Sequence, residues 1–332
     1  MTSDVEFKAW RVEELDGNYK GTEQTLSTAD LPAGEVLIKV SHSSLNYKDA
    51  LSASGNKGVS RSFPHTPGID AAGEVVESAT GTPAVGSQVI VTGYDLGMNT
   101  AGGFGEYIRV PAAWCVPMPS GWGAQAAMIY GTAGLTAGLC VQKLLAMGAG
   151  PEQGRVAVSG ASGAVGSVAV ELLAKLGFDV VAISGKADHA ESLKALGATQ
   201  VLGRDALAED KKPMLKPTFA NAVDTVGGLP LAELLKQIKP GGSVSCCGLV
   251  AGPQLQTTVL PFILRGVNLL GVDSVEIPLA DKEVVWKKFA GDWKCEKTEA
   301  SAKRIGRADL EGALNAFLKG ESSGKIVLDH AV

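Results

Sequence analysis

Hydrophobic and polar positions alternate in short runs through the first third of the chain. Residues 36–40 and 105–110 form two such runs, and glycine and proline turns separate them from their neighbours. Alternation with a period of two is typical of half-buried β-strands. The pattern therefore predicts a β-rich domain that extends from the N-terminus to about Val116.

The hydrophobic period becomes helical between Gln125 and Met147. Leucines and valines recur there on one face, until Gly148 and Pro151 interrupt the pattern. A chain of 332 residues is long enough for about two domains. We therefore expect a domain boundary near Ala124.

After Pro151, short apolar runs alternate with helical segments. Strands are expected at residues 156–158, 180–183, 200–202, 222–224 and 243–247, and helices at residues 165–176, 190–196 and 231–238. This order is typical of a parallel sheet that helices cover on both faces. The sequence therefore predicts an α/β domain with a doubly wound parallel sheet.

Local signals mark the ends of the helix expected at 190–196. Asp188 and Glu191 have the spacing of a capping box, and Gly197 lies where the helix should end. Beyond residue 272 the pattern is less regular, with helices expected at 281–289 and 310–318 and a final strand at 325–328.

A glycine-rich segment, residues 159–166, lies between a predicted strand and a predicted helix. Its glycines stand at positions 160, 163 and 166. In this context backbone amides at a helix N-terminus can approach a pyrophosphate. The spacing differs from the commonest G-x-G-x-x-G, and a lone glycine loop also serves as a packing turn. The strand and helix on either side favour a dinucleotide-binding loop.

The end of the second strand indicates which dinucleotide is bound. In NAD-specific domains an acid about 20 residues after the loop binds the ribose hydroxyl. Here Ser184, Gly185 and Lys186 take that place. They would not repel a 2′-phosphate, and Lys186 supplies positive charge. We therefore expect NADP(H), with Arg204 as a further phosphate or adenine contact. The alternatives are that Lys186 and Arg204 are ordinary solvated cations, or that Asp188 is the displaced acid.

Composition and charge exclude several classes of partner. The chain is 45% hydrophobic and 20% charged, and its formal net charge is −5. An acidic chain has little general affinity for nucleic acid or anionic membranes. The N-terminal residues carry acids instead of the features of a secretory signal, and no uncharged apolar run reaches about 18 residues. We expect a cytoplasmic protein with neither a nucleic-acid nor a membrane partner.

The cysteines and histidines do not form a metal-ligand pattern. Five cysteines and four histidines are scattered along the chain, without C-x-x-C or H-x-x-x-H spacing. The odd number of cysteines does not suggest a disulfide framework. We expect reduced, mostly buried thiols and no catalytic metal.

Several motifs together match one family. They are residues 44–51, 63–70, 131–137, the glycine loop and residues 271–274. With these motifs the chain resembles the zinc-free medium-chain dehydrogenase/reductases. Within them it looks most like the bacterial acryloyl-CoA reductases, long labelled putative quinone oxidoreductases. The likeness covers nearly the whole chain, and the combination of motifs is specific although no single motif is.

The resemblance implies a particular domain organisation. Residues 1–124 and 275–332 would form a GroES-like, β-rich catalytic domain, and residues 125–274 a Rossmann NADP-binding domain. The active site would lie in the cleft, and the protein would be a homodimer. Zinc-dependent relatives place Cys and His ligands in the first domain, whereas the corresponding loop here, residues 46–49, offers no ligand set.

The resemblance also implies the cofactor contacts. Tyr47 would lie near the nicotinamide, residues 163–166 at the pyrophosphate and residues 184–186 at the 2′-phosphate. Close relatives often have arginine at the position of Lys186, so the lysine keeps the charge but loses the bidentate fork. The implied NADP(H)-binding residues are Tyr47, Thr132, Gly160, Gly163, Ala164, Val165, Gly166, Ser184, Gly185, Lys186, Arg204, Leu249, Ile263, Ser274 and Lys325.

The reaction expected of such a reductase is hydride transfer to the β carbon of acryloyl-CoA, with a proton added at the α carbon. Negative charge would build on the thioester oxygen, where a donor or cation lowers the barrier. Tyr47 and Lys48 are the candidate catalytic groups, with Asn46 and Asp49 holding the loop. The alternatives are that Tyr47 only packs against the nicotinamide and that Lys48 is solvated.

Two other functions remain open at the level of the sequence. An NADPH:quinone reductase could use the same cofactor, because the residues do not separate the two acceptors by chemistry. A CoA substrate would need cations for its phosphates, and Arg61, Arg265, Lys325 and Lys57 are candidates. A noncatalytic NADPH-binding protein is the alternative from another class. The 46–49 loop beside a complete glycine loop favours an enzyme.

Overall fold

The computed structural model describes residues 4–322 and 324–332, and strands and helices alternate along most of this length. The strands are β1 (Glu6–Leu15), β2 (Asn18–Ser27), β3 (Val36–Ser44), β4 (Asp70–Ser78), β5 (Gln88–Thr92), β6 (Tyr107–Val110), β7 (Val116–Pro117), β8 (Val156–Ser159), β9 (Val180–Ile183), β10 (Gln200–Leu202), β11 (Asn221–Asp224), β12 (Ser243–Cys246), β13 (Asn268–Gly271), β14 (Lys303–Ile305) and β15 (Ile326–Asp329). The helices are α1 (Tyr47–Ala53), α2 (Ala124–Ala146), α3 (Ala164–Lys175), α4 (Ala190–Leu196), α5 (Gly228–Leu235), α6 (Leu260–Arg265), α7 (Leu279–Phe289), α8 (Glu296–Ser301) and α9 (Leu310–Leu318).

The chain forms two compact units. The first unit comprises Met1–Thr132, Ser274–Asp292 and Ser301–Val332, and the second comprises Ala133–Asp273 and Trp293–Ala300. The division therefore falls inside α2, eight residues beyond the expected boundary after residue 124. Residues 293–300, expected in the first domain, belong to the second unit instead.

Glu171 explains why residues 293–300 pack with the second unit. Its buried carboxylate, on α3, accepts hydrogen bonds from the backbone amides of Lys297 and Thr298, each at 2.8 Å. The Thr298 hydroxyl donates a third bond of 2.6 Å. A buried carboxylate with three donors is well satisfied, so this contact fixes the start of α8, and periodicity alone could not reveal it.

A seven-stranded sheet forms the framework of the first unit, with strand order β14-β15-β3-β4-β5-β7, and β6 also pairs with β3. The alternating run at 36–40 lies in β3, and the run at 105–110 contains β6. Buried valines and isoleucines from β3 to β6 share one core. The predicted β-rich first domain has this sheet as its centre.

A long hairpin precedes that sheet, and the alternation did not single it out. Strands β1 and β2 pair antiparallel from Glu6 opposite Ser27 to Leu15 opposite Asn18. Asp16 and Gly17 turn the chain with φ of 52° and 78°, as a two-residue hairpin turn requires. Strand β2 is mostly polar, so its pattern lacks the alternation that reveals a strand.

The second unit has a six-stranded parallel sheet with order β10-β9-β8-β11-β12-β13. The order reverses between β8 and β11, as in a doubly wound Rossmann sheet, whose ligands bind at the carboxyl ends of the strands at this point. Strands β8, β9 and β11 are completely buried. The predicted fold class of this domain is confirmed.

The expected capping box of α4 and the expected start of α5 were wrong, whereas α4 begins at Ala190 as expected. Asp188 does not cap α4, because it lies in a short 3-10 turn and the N-cap residue is His189, without a side-chain capping bond. Helix α5 begins at Gly228 instead of Leu231, since the Asp224 carboxylate accepts the Gly227 amide at 2.8 Å just before it. The expected end of α4 at Gly197 is correct, with φ of 116°.

Helix α2 contradicts the expectation that no apolar run reaches about 18 residues, because it is long and apolar enough to cross a membrane by length and composition alone. Of its most apolar window, 78% is buried inside the protein. Gly131, with φ of 51° and ψ of −157°, breaks the helical geometry near its start. Such burial is typical of the core helix of a globular protein.

Candidate functional site

The glycine loop of the second unit connects β8 to α3. A Cβ atom on Gly166 would overlap the carbonyl oxygen of Gly160, and one on Gly160, whose φ is 62°, would overlap the Thr225 hydroxyl. Gly163 differs, because a Cβ there would meet only the Gly160 carbonyl oxygen, at 3.2 Å. It is the exposed N-cap of α3 and precedes Ala164 and Val165. Space beside its backbone suits a phosphate at a helix N-terminus.

Thr225 is a neighbour of the loop that the sequence did not single out. Its hydroxyl donates to the Ser159 carbonyl at 2.9 Å, and its amide donates to the Ser159 hydroxyl at 3.2 Å. A Cβ on Gly248 would overlap the Thr225 carbonyl. The carboxyl ends of β8, β11 and β12 therefore converge beside the loop, and Leu249, 66% exposed, follows there. The available signal was the Thr225 position directly after a buried strand.

Ser184, Gly185, Lys186 and Arg204 come together at the end of β9. The buried Ser184 hydroxyl donates to the Ser162 hydroxyl at 2.9 Å and accepts the Lys186 amide at 3.1 Å. A Cβ on Gly185 would overlap the Arg204 guanidinium. Two cations thus flank this turn, while the Asp188 side chain is 81% exposed and 3.9 Å from His189. The positive charge at this turn fits a 2′-phosphate better than a pair of ribose hydroxyls.

The remaining implied cofactor contacts are not all in the second unit. Ile263 lies on α6 and is 69% exposed. Tyr47, Thr132, Ser274 and Lys325 belong to the first unit. The structure therefore gathers the phosphate-binding part of the expected site within one unit.

The 46–49 loop begins α1 in the first unit. Asn46 is the N-cap residue, and its amide donates to the Asp49 carboxylate at 2.7 Å. Asp49 is fully buried, whereas Tyr47 is 54% exposed and Lys48 is partly exposed. The loop therefore turns its two candidate catalytic side chains outward and its acid inward.

Asp70 faces Asp49 across Asn46 and was absent from the expected site. The Asn46 side-chain amide donates to Asp70 at 2.8 Å and to Asp49 at 3.4 Å. Thr132 donates to Asp70 through its amide at 2.8 Å and its hydroxyl at 2.5 Å. The only signal in the sequence was an acid in the 63–70 motif at the start of an apolar strand.

Burial governs the charges of this pair. Desolvation, followed by the charge of Asp70, raises the pKa of Asp49 to about 7. Desolvation also raises the pKa of Asp70, against the opposing effects of Thr132, Asn46 and the Lys325 charge. Lys325 is 5% exposed. Its charge therefore acts on Asp70 from within the protein.

Three of the four candidate CoA-phosphate cations are engaged elsewhere. Arg265 donates to the carbonyls of Leu215, Lys236 and Ile238. Lys57 pairs with Glu14 at 2.9 Å, and Lys325 is buried. Arg61 is exposed, and its side chain has no ion pair within residues 4–322 and 324–332.

Two family models match the chain. The Alcohol dehydrogenase GroES-like domain matches residues 32–120, and the Zinc-binding dehydrogenase domain matches residues 164–288. The chain is 43% identical to the acrylyl-CoA reductase AcuI of Ruegeria pomeroyi, over 96% of each chain. It is 42% identical to the putative quinone oxidoreductase YhfP of Bacillus subtilis, over 97% of this chain and 98% of that protein.

Solved structures agree with these sequence matches. The yhdH oxidoreductase of Salmonella enterica in complex with NADP has a TM-score of 0.94 and 43% identity, over 97% of this chain and 99% of that one. The Bacillus subtilis yhfP structure, with NAD bound, also has a TM-score of 0.94. These matches confirm the expected family, the GroES-like and Rossmann fold and the NADP(H) cofactor. The Bacillus subtilis relative therefore binds NAD in its own structure.

The buried acids do not fit a catalytic zinc site. Both carboxylates accept hydrogen bonds from N–H groups, Asp49 from Asn46 and Ile69 and Asp70 from Asn46 and Thr132. Within the residues that the structure describes, no group of three His, Cys, Asp or Glu side chains could hold a metal. Zinc binding needs several such ligands around one point.

Proposed function

Since the chain belongs to the medium-chain dehydrogenase/reductase family and is an oxidoreductase, we propose that it reduces the carbon–carbon double bond of acryloyl-CoA with NADPH. The products are propanoyl-CoA and NADP⁺. The observation that carries the choice of acceptor is the 43% identity to an acrylyl-CoA reductase over 96% of the chain. The cation-flanked turn at Ser184 and Lys186 supports NADPH as the reductant.

Bound NADPH supplies a hydride, which adds to the β carbon of the acceptor, while a proton from water or a side chain adds to the α carbon. The glycine loop would bind the pyrophosphate through the backbone around Gly163 and Ala164. Lys186 and Arg204 would hold the 2′-phosphate. These contacts orient the nicotinamide before the reaction.

Tyr47 and Lys48 would stabilise the negative charge that develops on the thioester oxygen. Their side chains point away from the buried acids, and Tyr47 is the more exposed of the two. A hydroxyl donor or an ammonium within reach of that oxygen lowers the barrier. Asn46 and Asp49 would keep the loop in this position through the 2.7 Å capping bond.

A quinone is the second candidate acceptor. The Bacillus relative with that putative assignment is 42% identical, nearly as similar as the acrylyl-CoA reductase. A quinone needs no phosphate-binding cations. Of the cations considered for CoA, Arg61 alone combines exposure with the lack of an ion pair in the described residues, so its substitution distinguishes the acceptors.

The acceptor is tested by following NADPH absorbance with acryloyl-CoA, with a simple quinone and with no acceptor. We expect rapid oxidation with acryloyl-CoA, and a higher KM for it, but not for a quinone, in Arg61→Ala. Oxidation by the quinone alone would replace the first candidate by the second. A protein that binds NADPH but oxidises it with neither acceptor would have the noncatalytic binding role.

We also propose that the protein is a homodimer. Strand β13 is the edge of the parallel sheet, and Val250, Val259 and Leu264 of the second unit are strongly exposed. Exposed apolar side chains and an open sheet edge are both typical of protein interfaces. Analytical ultracentrifugation should give a dimer mass that Leu264→Glu reduces, and a monomeric wild type would contradict the proposal.

A further inference from the structure

We propose that Asp70 is a positioning residue for the 46–49 loop, because its buried carboxylate ties that loop to the helix break at Gly131. The inference rests on the proposed function only in assigning catalysis to the loop. The contacts themselves join three segments of the first unit, namely the start of α1, the start of β4 and the break in α2.

The Asp70 carboxylate is shared between two partners. One oxygen, Oδ2, accepts both the Asn46 side-chain amide and the Thr132 backbone amide, each at 2.8 Å. The other, Oδ1, accepts the Thr132 hydroxyl at 2.5 Å. All three groups donate, so an ionised carboxylate satisfies them and a side chain that itself donates would not.

The break at Gly131 exposes the Thr132 amide to Asp70. A Cβ atom on Gly131 would lie 2.6 Å from Asp70 Oδ2 and 2.5 Å from the Ser44 hydroxyl, so only glycine allows this approach. Its φ of 51° also lies in the left-handed region. The helix break and the buried acid are therefore parts of the same arrangement.

Asp49 completes the arrangement from the other side. Its Oδ1 accepts the Ile69 amide at 2.8 Å, directly before Asp70 in the chain, while its Oδ2 accepts the Asn46 amide. Each acid thus accepts a hydrogen bond from the segment that carries the other acid. Asn46 contacts both carboxylates, and Tyr47 follows it immediately.

Loss of the Asp70 charge should therefore displace Tyr47 without dismantling the phosphate-binding loop. Asp70→Asn keeps the size of the side chain but turns one acceptor into a donor that faces other donors. A displacement of about 1 Å at a catalytic group can cost on the order of 100-fold in rate. NADPH affinity should change less, because the expected phosphate contacts lie in the second unit.

The experiment compares Asp70→Asn with Glu171→Gln, whose buried carboxylate also accepts three hydrogen bonds but holds α8. With the acceptor that the wild type reduces, kcat of Asp70→Asn should fall about 10- to 100-fold while the Kd for NADPH stays within about threefold. Glu171→Gln should lower the melting temperature and keep kcat. Wild-type kcat in Asp70→Asn, or an equal loss in Glu171→Gln, would overturn the proposal.

A second readout needs neither acceptor nor cofactor. Hydrogen–deuterium exchange in the free protein should be faster at the Thr132 amide in Asp70→Asn, and unchanged there in Glu171→Gln.

If Asp70→Asn does not fold, Thr132→Val tests the proposal instead, because it removes one hydrogen-bond donor to Asp70 and keeps the backbone amide. Its kcat should fall severalfold, and an unchanged kcat would contradict the role of Asp70. Failure of acryloyl-CoA as acceptor leaves the exchange result intact, so the two proposals fail separately.

Discussion

The glycine loop, proposed to bind the cofactor, and the 46–49 loop, proposed to act on the acceptor, are held in place in different ways. The first is local, since its glycines at 160, 163 and 166 lie within seven consecutive residues, from the end of β8 to the first turn of α3. The second depends on Asp70 and Thr132, which are distant in sequence from Asn46. A binding loop that depends on the spacing of glycines can be predicted from the sequence. A loop held by buried side chains from distant segments can be recognised only in the folded structure.

Substitution of the loop glycines should have the largest effect on NADPH binding. It should also distinguish Gly166, which packing requires, from Gly163, which lies at the expected phosphate position. Gly166→Ala places a Cβ against the Gly160 carbonyl, so we expect a loss of about 2 kcal/mol in unfolding free energy. NADPH binding should weaken by about 100-fold, or about 3 kcal/mol, as the loop shifts. Calorimetric unfolding and NADPH titration measure the two effects.

Gly163→Ala is the matched control for that prediction. Its Cβ meets only one carbonyl, at 3.2 Å, and its φ of −78° suits alanine. Stability should therefore stay near that of the wild type, while NADPH binds about 10-fold more weakly because the methyl group occupies the phosphate position. Equal effects at both glycines would show that the loop serves packing alone.

The buried acids should give the first unit a distinctive pH dependence. The pKa of Asp49, normally 3.8, is raised to about 7, first by burial and then by the Asp70 charge. The folded protein therefore binds this proton more tightly than the unfolded chain, so the contribution is complete below about pH 4 and is lost as pH rises to about 7. Chemical unfolding across this range should show a loss of a few kcal/mol that Asp49→Asn removes. An identical slope in both proteins would contradict an elevated pKa.

Removal of the candidate catalytic groups should lower turnover without affecting the fold. We expect Tyr47→Phe and Lys48→Ala each to reduce kcat by about 10- to 100-fold, since each removes a donor to the developing oxyanion. Tyr107→Phe and Lys39→Ala, on β6 and β3 of the same unit, are the controls in steady-state kinetics. If both Tyr47→Phe and Lys48→Ala turn over normally, the loop has no direct chemical role.

The smallest expected effect concerns the choice of dinucleotide. Lys186→Ala should weaken NADPH binding by about 10-fold and leave NADH binding unchanged, because only NADPH carries the 2′-phosphate. Lys194→Ala, which removes the same charge from α4, should change neither affinity in parallel fluorescence titrations. Equal weakening of NADH and NADPH would remove the lysine from the phosphate site.

The contrast between local and distant contacts also explains how much the sequence could predict. The parallel sheet followed from short apolar runs that are buried on both faces, and the corner at residues 184–186 followed from its place after β9. The β1–β2 hairpin escaped notice because β2 is polar. Hydrogen bonds to other segments of the chain determine the roles of Asp70, Thr225 and Glu171. Their only local signal is a position within or beside an apolar segment, and ordinary core and loop residues share it.

The identity of the acceptor is tested most directly by isotope transfer. NADPH deuterated at C4 of the nicotinamide is incubated with acryloyl-CoA and the protein, and the thioester product is analysed by mass spectrometry and NMR. We expect propanoyl-CoA that carries deuterium at the β carbon and a proton from water at the α carbon. Unchanged acryloyl-CoA, with oxidation of NADPH only when a quinone is supplied, would contradict the proposed function.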